Sequence, residues 1–176
     1  MIASKWVRWL ARTLAVVGGV ALIVITIITV VSITGRAFVR HGLGPIPGDF
    51  ELVEAGVGFA VFSFLPWCQL NRGHATVDLF TNFLPDGVNR FIEFVSELLM
   101  SIIIVVIAWR LAIGMMDKIR YGETTFILQF PVWWPFAACM VAAVIAIVVS
   151  LYMTGVRFME LVTGRSADLQ HQGSVH

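Results

Sequence analysis

The chain has 176 residues, of which 59% are hydrophobic and only 13% charged, and its formal net charge at pH 7 is +1. This composition is far more apolar than that of a soluble globular domain, and no basic tract outside the first twelve residues suggests nucleic-acid binding. About 20 apolar helical residues cross a bilayer core of about 30 Å, and the sequence contains four stretches that approach or exceed this length.

The N-terminal segment predicts an amphipathic helix that leads into the first span. Three basic residues recur there at helical spacing: Lys5, Arg8 and Arg12. Such a pattern is typical of a helix at a headgroup surface, and its charge favours the cytoplasm. The span itself covers residues 13–35 without a charge. It exceeds the roughly 7–15 apolar residues of a signal peptide, so we expect it to be retained.

The second span is predicted over residues 51–71, after a turn rich in Gly and Pro at residues 41–48. Asp49 is expected to cap the helix N-terminus. Glu51 and Glu54 fall in the first turns of this helix. They either stabilise the helix start, where the dipole favours carboxylates, or one of them faces a partner helix, because an intramembrane carboxylate normally has a partner.

The third span is predicted over residues 91–113. Before it, residues 75–84 alternate polar and apolar side chains, which predicts a short helix lying flat on the membrane. Glu93 and Glu97 fall in the first turns of the span and share a helix face with Arg90. Residues three and four apart on a helix are neighbours, so these three are expected to form a local stripe of ion pairs.

The fourth span is predicted over residues 133–155. The last uncharged run is too long for one crossing, and Pro131 indicates that the helix starts just after it. Residues 115–130, which precede this start, are expected to form an extended segment at the outer interface. Residues 156–176 are expected to form a cytoplasmic tail that is partly disordered.

The fold class that follows is an all-α integral membrane protein. A single domain over residues 1–176 would contain four transmembrane helices and short interfacial amphipathic helices, with both termini cytoplasmic. Cys68 and Cys139 lie inside predicted spans without metal-ligand spacing and are expected to be buried apolar thiols. His41 and His74 fall on opposite sides of the membrane in this topology, which argues against a bis-histidine haem site.

No catalytic motif stands out, so we expect no catalytic, cofactor or metal site in this chain. A carrier working alone is also disfavoured, because secondary transporters generally contain repeated halves and broken helices, and the sequence contains no detectable repeat. Sequence physics alone therefore indicates a non-catalytic membrane subunit with four helices.

Three motifs resemble those of one family, and they span most of the chain. The second helix opens with Glu51-Leu52, the sequence Arg-Gly-His-Ala-Thr-Val-Asp follows it from Arg72 to Asp78, and Pro-Val-Trp from Pro131 to Trp133 precedes the fourth helix. Together with the length and the four spans, these motifs resemble the small membrane subunit, called Q or DctQ-like, of tripartite ATP-independent periplasmic (TRAP) transporters. The family often has a long aliphatic residue after the histidine, where this chain has Ala75.

The resemblance implies a scaffold beside a large multi-spanning carrier subunit that holds the substrate and sodium sites. A periplasmic solute-binding protein would deliver an organic acid for sodium-coupled uptake across the bacterial inner membrane. The residues implied for partner contacts or local structure are Glu51, Glu54, Arg72, His74, Asp78, Pro131 and Trp133.

Two other classes of protein stay open at this point. One is a membrane anchor subunit of a redox complex, which would require haem or quinone ligands. The other is an unpartnered structural or regulatory membrane protein.

Overall fold

The computed structural model describes residues 2–71 and 86–163. Four long helices make up most of these residues: α1 (Ile2–Ala37), α2 (Asp49–Leu70), α3 (Asp86–Tyr121) and α4 (Trp133–Thr163). Each is long and apolar enough to cross a membrane. The prediction of an all-α membrane protein with four transmembrane helices is therefore confirmed.

The helices extend beyond the predicted spans. α1 and α3 each contain 36 residues, about 54 Å at 1.5 Å per residue. The predicted N-terminal amphipathic helix is continuous with α1, and residues 156–163 of the predicted tail continue α4. The predicted surface helix at residues 75–84 and the rest of the tail, residues 164–176, lie outside the described residues.

The expectation of an extended segment over residues 115–130 is wrong for its first part. α3 continues to Tyr121 because no Gly or Pro interrupts the sequence between Met115 and that point. Gly122 then adopts the left-handed conformation at φ 62°, which a glycine tolerates without steric cost. Only the residues after Gly122 form a loop.

The main helix contacts form a row in the order α1, α2, α4, α3, and α1 also contacts α4 directly. α2 and α4 run parallel, since Gly58 lies against Cys139 and Gln69 bonds to Ser150. α3 runs antiparallel to α4. α4 contacts all three other helices, so 39% of the residues in its most apolar stretch are buried, against 17% to 22% for the other three helices.

A seam of close contacts joins α1 to α2. A Cβ atom built on Gly18 would lie 2.6 Å from the Cβ of Ser63, and one built on Gly56 would lie 2.6 Å from Cγ2 of Ile25. Along each helix the two contacts are seven residues apart. A further step of seven residues on both helices reaches the hydrogen bond between Ser32 and Asp49. Small residues at such spacing let antiparallel helices approach closely in lipid.

The two cysteines differ in exposure. Cys139 is buried on α4, as expected, whereas Cys68 is exposed on α2. The expectation for Cys68 is wrong because this residue lies on the same face of α2 as the exposed side chains of Val57 and Val61.

The seam predicts opposite outcomes for two adjacent glycines. Gly18→Ala should lower the free energy of unfolding by about 1–3 kcal/mol, because the new Cβ meets the Cβ of Ser63. Gly19→Ala is the matched control: nothing lies within 4 Å of its added Cβ, so helix propensity should raise stability by up to about 1 kcal/mol. Denaturant unfolding of the two purified variants in mixed micelles measures both changes. Equal effects would contradict the seam.

Candidate partner-binding surface

The two ends of the bundle hold different polar groups. We call the end that holds the C-terminus of α1 and the N-terminus of α2 the Asp49 end, and the opposite one the Gln69 end. Asp49 accepts hydrogen bonds at Oδ2 from Ser32 Oγ at 2.5 Å and from Arg36 Nη2 at 2.9 Å. The backbone N–H of Ile46 donates to Ser32 Oγ at 3.2 Å. This network ties the turn before α2 to the end of α1.

Asp49 is the first residue of α2 rather than its N-cap. The N-cap is Gly48, which has φ 74° and no capping side chain. Asp49 Oδ1 accepts a hydrogen bond from the N–H of Phe50 at 2.9 Å. The carboxylate therefore still satisfies a backbone donor of the first turn, as carboxylates near helix N-termini commonly do. The prediction that Asp49 is the N-cap is wrong, because Gly48 occupies that position. The side chain of Leu128 packs so closely against Gly48 that a Cβ atom there would collide with it.

Glu51 is buried and holds the loop between α3 and α4. Its carboxylate oxygens accept hydrogen bonds from the N–H of Ile127 at 2.7 Å and of Leu128 at 3.0 Å. These residues are at the tip of a small hairpin, residues 123–132, which is closed by a bridge between Thr124 and Pro131. The carboxylate supplies the acceptors that the turning backbone lacks.

Glu54, one turn further along α2, is exposed. It lines an apolar groove of about 500 Å³ between α2, α3, the hairpin and α4. In the described part of the chain, no side chain or backbone group forms a hydrogen bond or ion pair with Glu54. The heptad register of the seam puts Glu54 at the same level along the bundle as Ile27, which lies within the uncharged run of α1. The groove is lined by five phenylalanines, Phe50, Phe62, Phe126, Phe130 and Phe136, together with Leu111, Pro135 and Cys139 among others.

Pro131 and Trp133 connect the hairpin to α4. Pro131 forms the bridge to Thr124, and its carbonyl accepts a hydrogen bond from the N–H of Trp134 at 3.1 Å. Trp133 begins α4 and packs edge-on against Trp134, with ring centroids 6.3 Å apart. The structure thus places Pro131 and Trp133 at the same end as Glu51 and Glu54. Arg72, His74 and Asp78 lie outside the described residues.

A buried polar cluster at the Gln69 end was not anticipated from the sequence. Gln69 Nε2 donates to Glu97 Oε1 and, at 3.0 Å, to Ser150 Oγ. The hydroxyl of Ser150 donates to Ser101 Oγ at 2.7 Å, which in turn lies 2.7 Å from Thr154 Oγ1. The sequence feature that indicates such a cluster is the presence of isolated polar residues within apolar runs, because buried polar groups in a membrane protein require partners.

Glu93 and Glu97 of α3 bond across helices, which the predicted local stripe of ion pairs did not include; the side chain of Arg90, the third member of that stripe, lies outside the described part of the structure. Glu93 Oε2 accepts a hydrogen bond from Arg157 Nη1 of α4 at 2.6 Å, and Glu97 accepts from Gln69 of α2. The arginine side chain is only 9% exposed in this pair. Because both acceptors face other helices, they fix the relative positions of α2, α3 and α4.

This cluster lies at the level where the uncharged run of α1 begins. Val7 and Ala11 of α1 form one buried cluster with Val149 and Met153 of α4, beside the end of α2. Ser150 is therefore level with the start of the run rather than with its middle. The donors and hydroxyls of the cluster bond to one another inside the protein, while Gln69 Oε1 is buried without a hydrogen-bond partner among the described residues.

Four apolar spans joined by polar contacts between helices define a multi-pass α-helical membrane protein. Residues 25–159 match the family model described as "Tripartite ATP-independent periplasmic transporters, DctQ component". The chain therefore belongs to this family, as the small membrane subunit of a TRAP transporter. The family is a component of a transporter rather than an enzyme. No curated protein and no solved structure matches the chain.

Substitutions of Glu51 and Glu54 should have different effects on the thermal stability of the isolated subunit. Glu51→Gln should lower the thermal midpoint by several degrees, because one of the two hairpin amides loses a charged acceptor and faces an amide donor. Glu54→Gln is the matched control and should leave the midpoint unchanged. Fluorescence-detected melting in detergent gives both values, and faster amide exchange at residues 127–128 in the Glu51 variant would localise the effect. A destabilised Glu54 variant would contradict this assignment.

Proposed function

We propose that this chain anchors a large multi-spanning carrier subunit in the bacterial inner membrane and supports sodium-coupled uptake of an organic acid. The observation that carries this proposal is the family match over residues 25–159. The family description names a periplasmic transporter, which is consistent with a solute-binding protein that delivers the substrate. The sodium and substrate sites belong to the large subunit, and this chain holds no cofactor.

The described polar contacts support a scaffold role. Polar side chains in the bundle bond to one another near the two ends, and the outward faces of α1, α3 and α4 carry mainly aliphatic side chains. Such faces suit contact with lipid or with another membrane protein. A carrier that moves substrate by displacing one of its domains needs a neighbour that stays in place, and this chain is well suited to that task.

The orientation in this proposal follows from charge. Lys5, Arg8 and Arg12 favour a cytoplasmic location for the Gln69 end and, with it, for both termini, by the positive-inside rule. The Asp49 end then faces the periplasm. Its exposed segments are residues 36–49 and the hairpin, where Phe126 is 87% exposed. We propose that these segments contact the solute-binding protein.

The test is reconstitution with and without this chain. The large subunit and the binding protein should support uptake of the organic acid into proteoliposomes only when this chain is present, and an affinity tag on this chain should recover the large subunit. A gene neighbourhood that encodes both partners would identify the proteins to use. Equal uptake without this chain, or no recovery of a carrier subunit, would contradict the proposal.

The motif after α2 gives a separate prediction. We propose that His74 and Asp78 order the cytoplasmic turn through a side-chain hydrogen bond across about one helical turn. His74→Ala and Asp78→Ala should each reduce recovery of the large subunit and lower uptake by a similar factor, while the double variant should be no worse than either alone. Additive losses, or wild-type assembly in both single variants, would show that the two residues do not act as a pair.

A further inference from the structure

Glu54 differs from the other carboxylates described along α2. Asp49 bonds to Ser32 and Arg36, and Glu51 bonds to the hairpin amides. Glu54 is exposed, and the described residues provide it with no hydrogen bond or ion pair. A carboxylate within an apolar helix normally has a partner, because the charge loses hydration there. The described chain therefore leaves one acceptor at this position for another molecule.

Two cations of α3 are directed to other partners. Arg110 precedes the groove residue Leu111, but its guanidinium lies over the ring of Trp109, 5.8 Å from the ring centroid. Lys118, nearer the end of α3, pairs with Glu123 of the hairpin at 2.5 Å. Neither contact involves Glu54.

The surroundings of Glu54 suit a protein side chain. Five of the fourteen residues that line the groove are phenylalanines, and α4 contributes Pro135, Phe136 and Cys139. The outer face of α1, in contrast, presents aliphatic side chains such as Val16, Val20 and Ile27. Aromatic residues around a single polar anchor are typical of interface hot spots in protein complexes, whereas a uniformly aliphatic face is typical of contact with lipid chains.

We propose that the groove between α2 and α3 is the docking site for a transmembrane helix of the large carrier subunit. That helix would present a basic side chain, or an amide or hydroxyl donor, to Glu54 and an apolar side chain to the phenylalanines. The inference rests on the proposed function, since it assumes that the large subunit exists, and it adds the surface by which the two subunits join. The negative charge of Glu54 is complementary to a hydrogen-bond donor on the partner helix.

Site-specific photo-cross-linking locates the surface. Benzoylphenylalanine replaces Phe62 in the groove and, as the control, Val20 on the exposed face of α1. In the complete complex in native-like membranes, the probe at position 62 should cross-link to the large subunit, and the probe at position 20 should give only lipid adducts. The inference is overturned if position 62 captures only lipid or a second copy of this chain, or if only position 20 reaches the large subunit.

Charge variants test the role of Glu54 itself. Glu54→Gln should weaken binding of the large subunit about tenfold or more and Glu54→Lys further, because a desolvated charge contact is lost and then reversed. Asp117→Asn removes another exposed carboxylate at the same end that does not line the groove, and should change the affinity less than twofold. Equilibrium binding of the purified subunits in nanodiscs measures all three affinities.

Two results separate the inference from the proposed function. Wild-type affinity in both Glu54 variants would overturn the docking site while the proposed function stands. Failure of the wild-type chain to bind any large subunit would overturn both. The thermal midpoint of the isolated Glu54→Gln variant should equal that of the wild type, so a loss of binding at an unchanged midpoint supports the contact with the partner.

Discussion

The structure depends on the close approach of α1 and α2. Lipid chains are as apolar as the helices, so burial of apolar surface gives little reason for helices to associate, and tight packing must supply it. At Gly18 and Gly56 the backbone of one helix lies against a side chain of the other. The hydrogen bond between Ser32 and Asp49 forms the last contact of the seam. This register determines how far α2 extends along α1. The positions of Glu51, Glu54 and the hairpin follow from it.

Some acidic residues of the described chain hold the fold together, and Glu54 is not among them. Glu51 and Glu93 accept hydrogen bonds from distant parts of the chain, and each joins segments that the sequence separates by more than sixty residues. Glu54 is only one turn from Glu51 but contributes no such link. We therefore expect a substitution at Glu51 to act on the subunit itself, whereas the proposed role of Glu54 is in contact with the partner.

Much of the fold could be predicted because the bilayer imposes it. A long apolar run such as residues 13–35 has only one stable conformation in lipid, a helix that satisfies its own backbone. Side-chain partners could not be predicted in the same way. The partners of Glu93 and Glu97 are on α4 and α2, and their pairing depends on the order of helices in the row.

The same limit applied to the start of α2. Sequence left open whether Glu51 or Glu54 faced another segment, because the answer depends on which side of α2 the hairpin covers. The predicted span ended before residue 115, whereas α3 continues to Tyr121. The charged residues after Met115 suggested a loop, but the helix ends only at Gly122. The family motifs were readable without the structure, but they did not indicate which residues contact each other.

The spatial order of the helices differs from their order of synthesis. α4 lies between α2 and α3, yet it is the last of the four to leave the ribosome. Until it inserts, Ser101 and Glu93 of α3 lack the partners that α4 provides. The first two helices can form a hairpin early, whereas the second half of the bundle can close only after α4 has been synthesised. The packing of α3 in the bundle therefore depends on a helix that follows it in the chain.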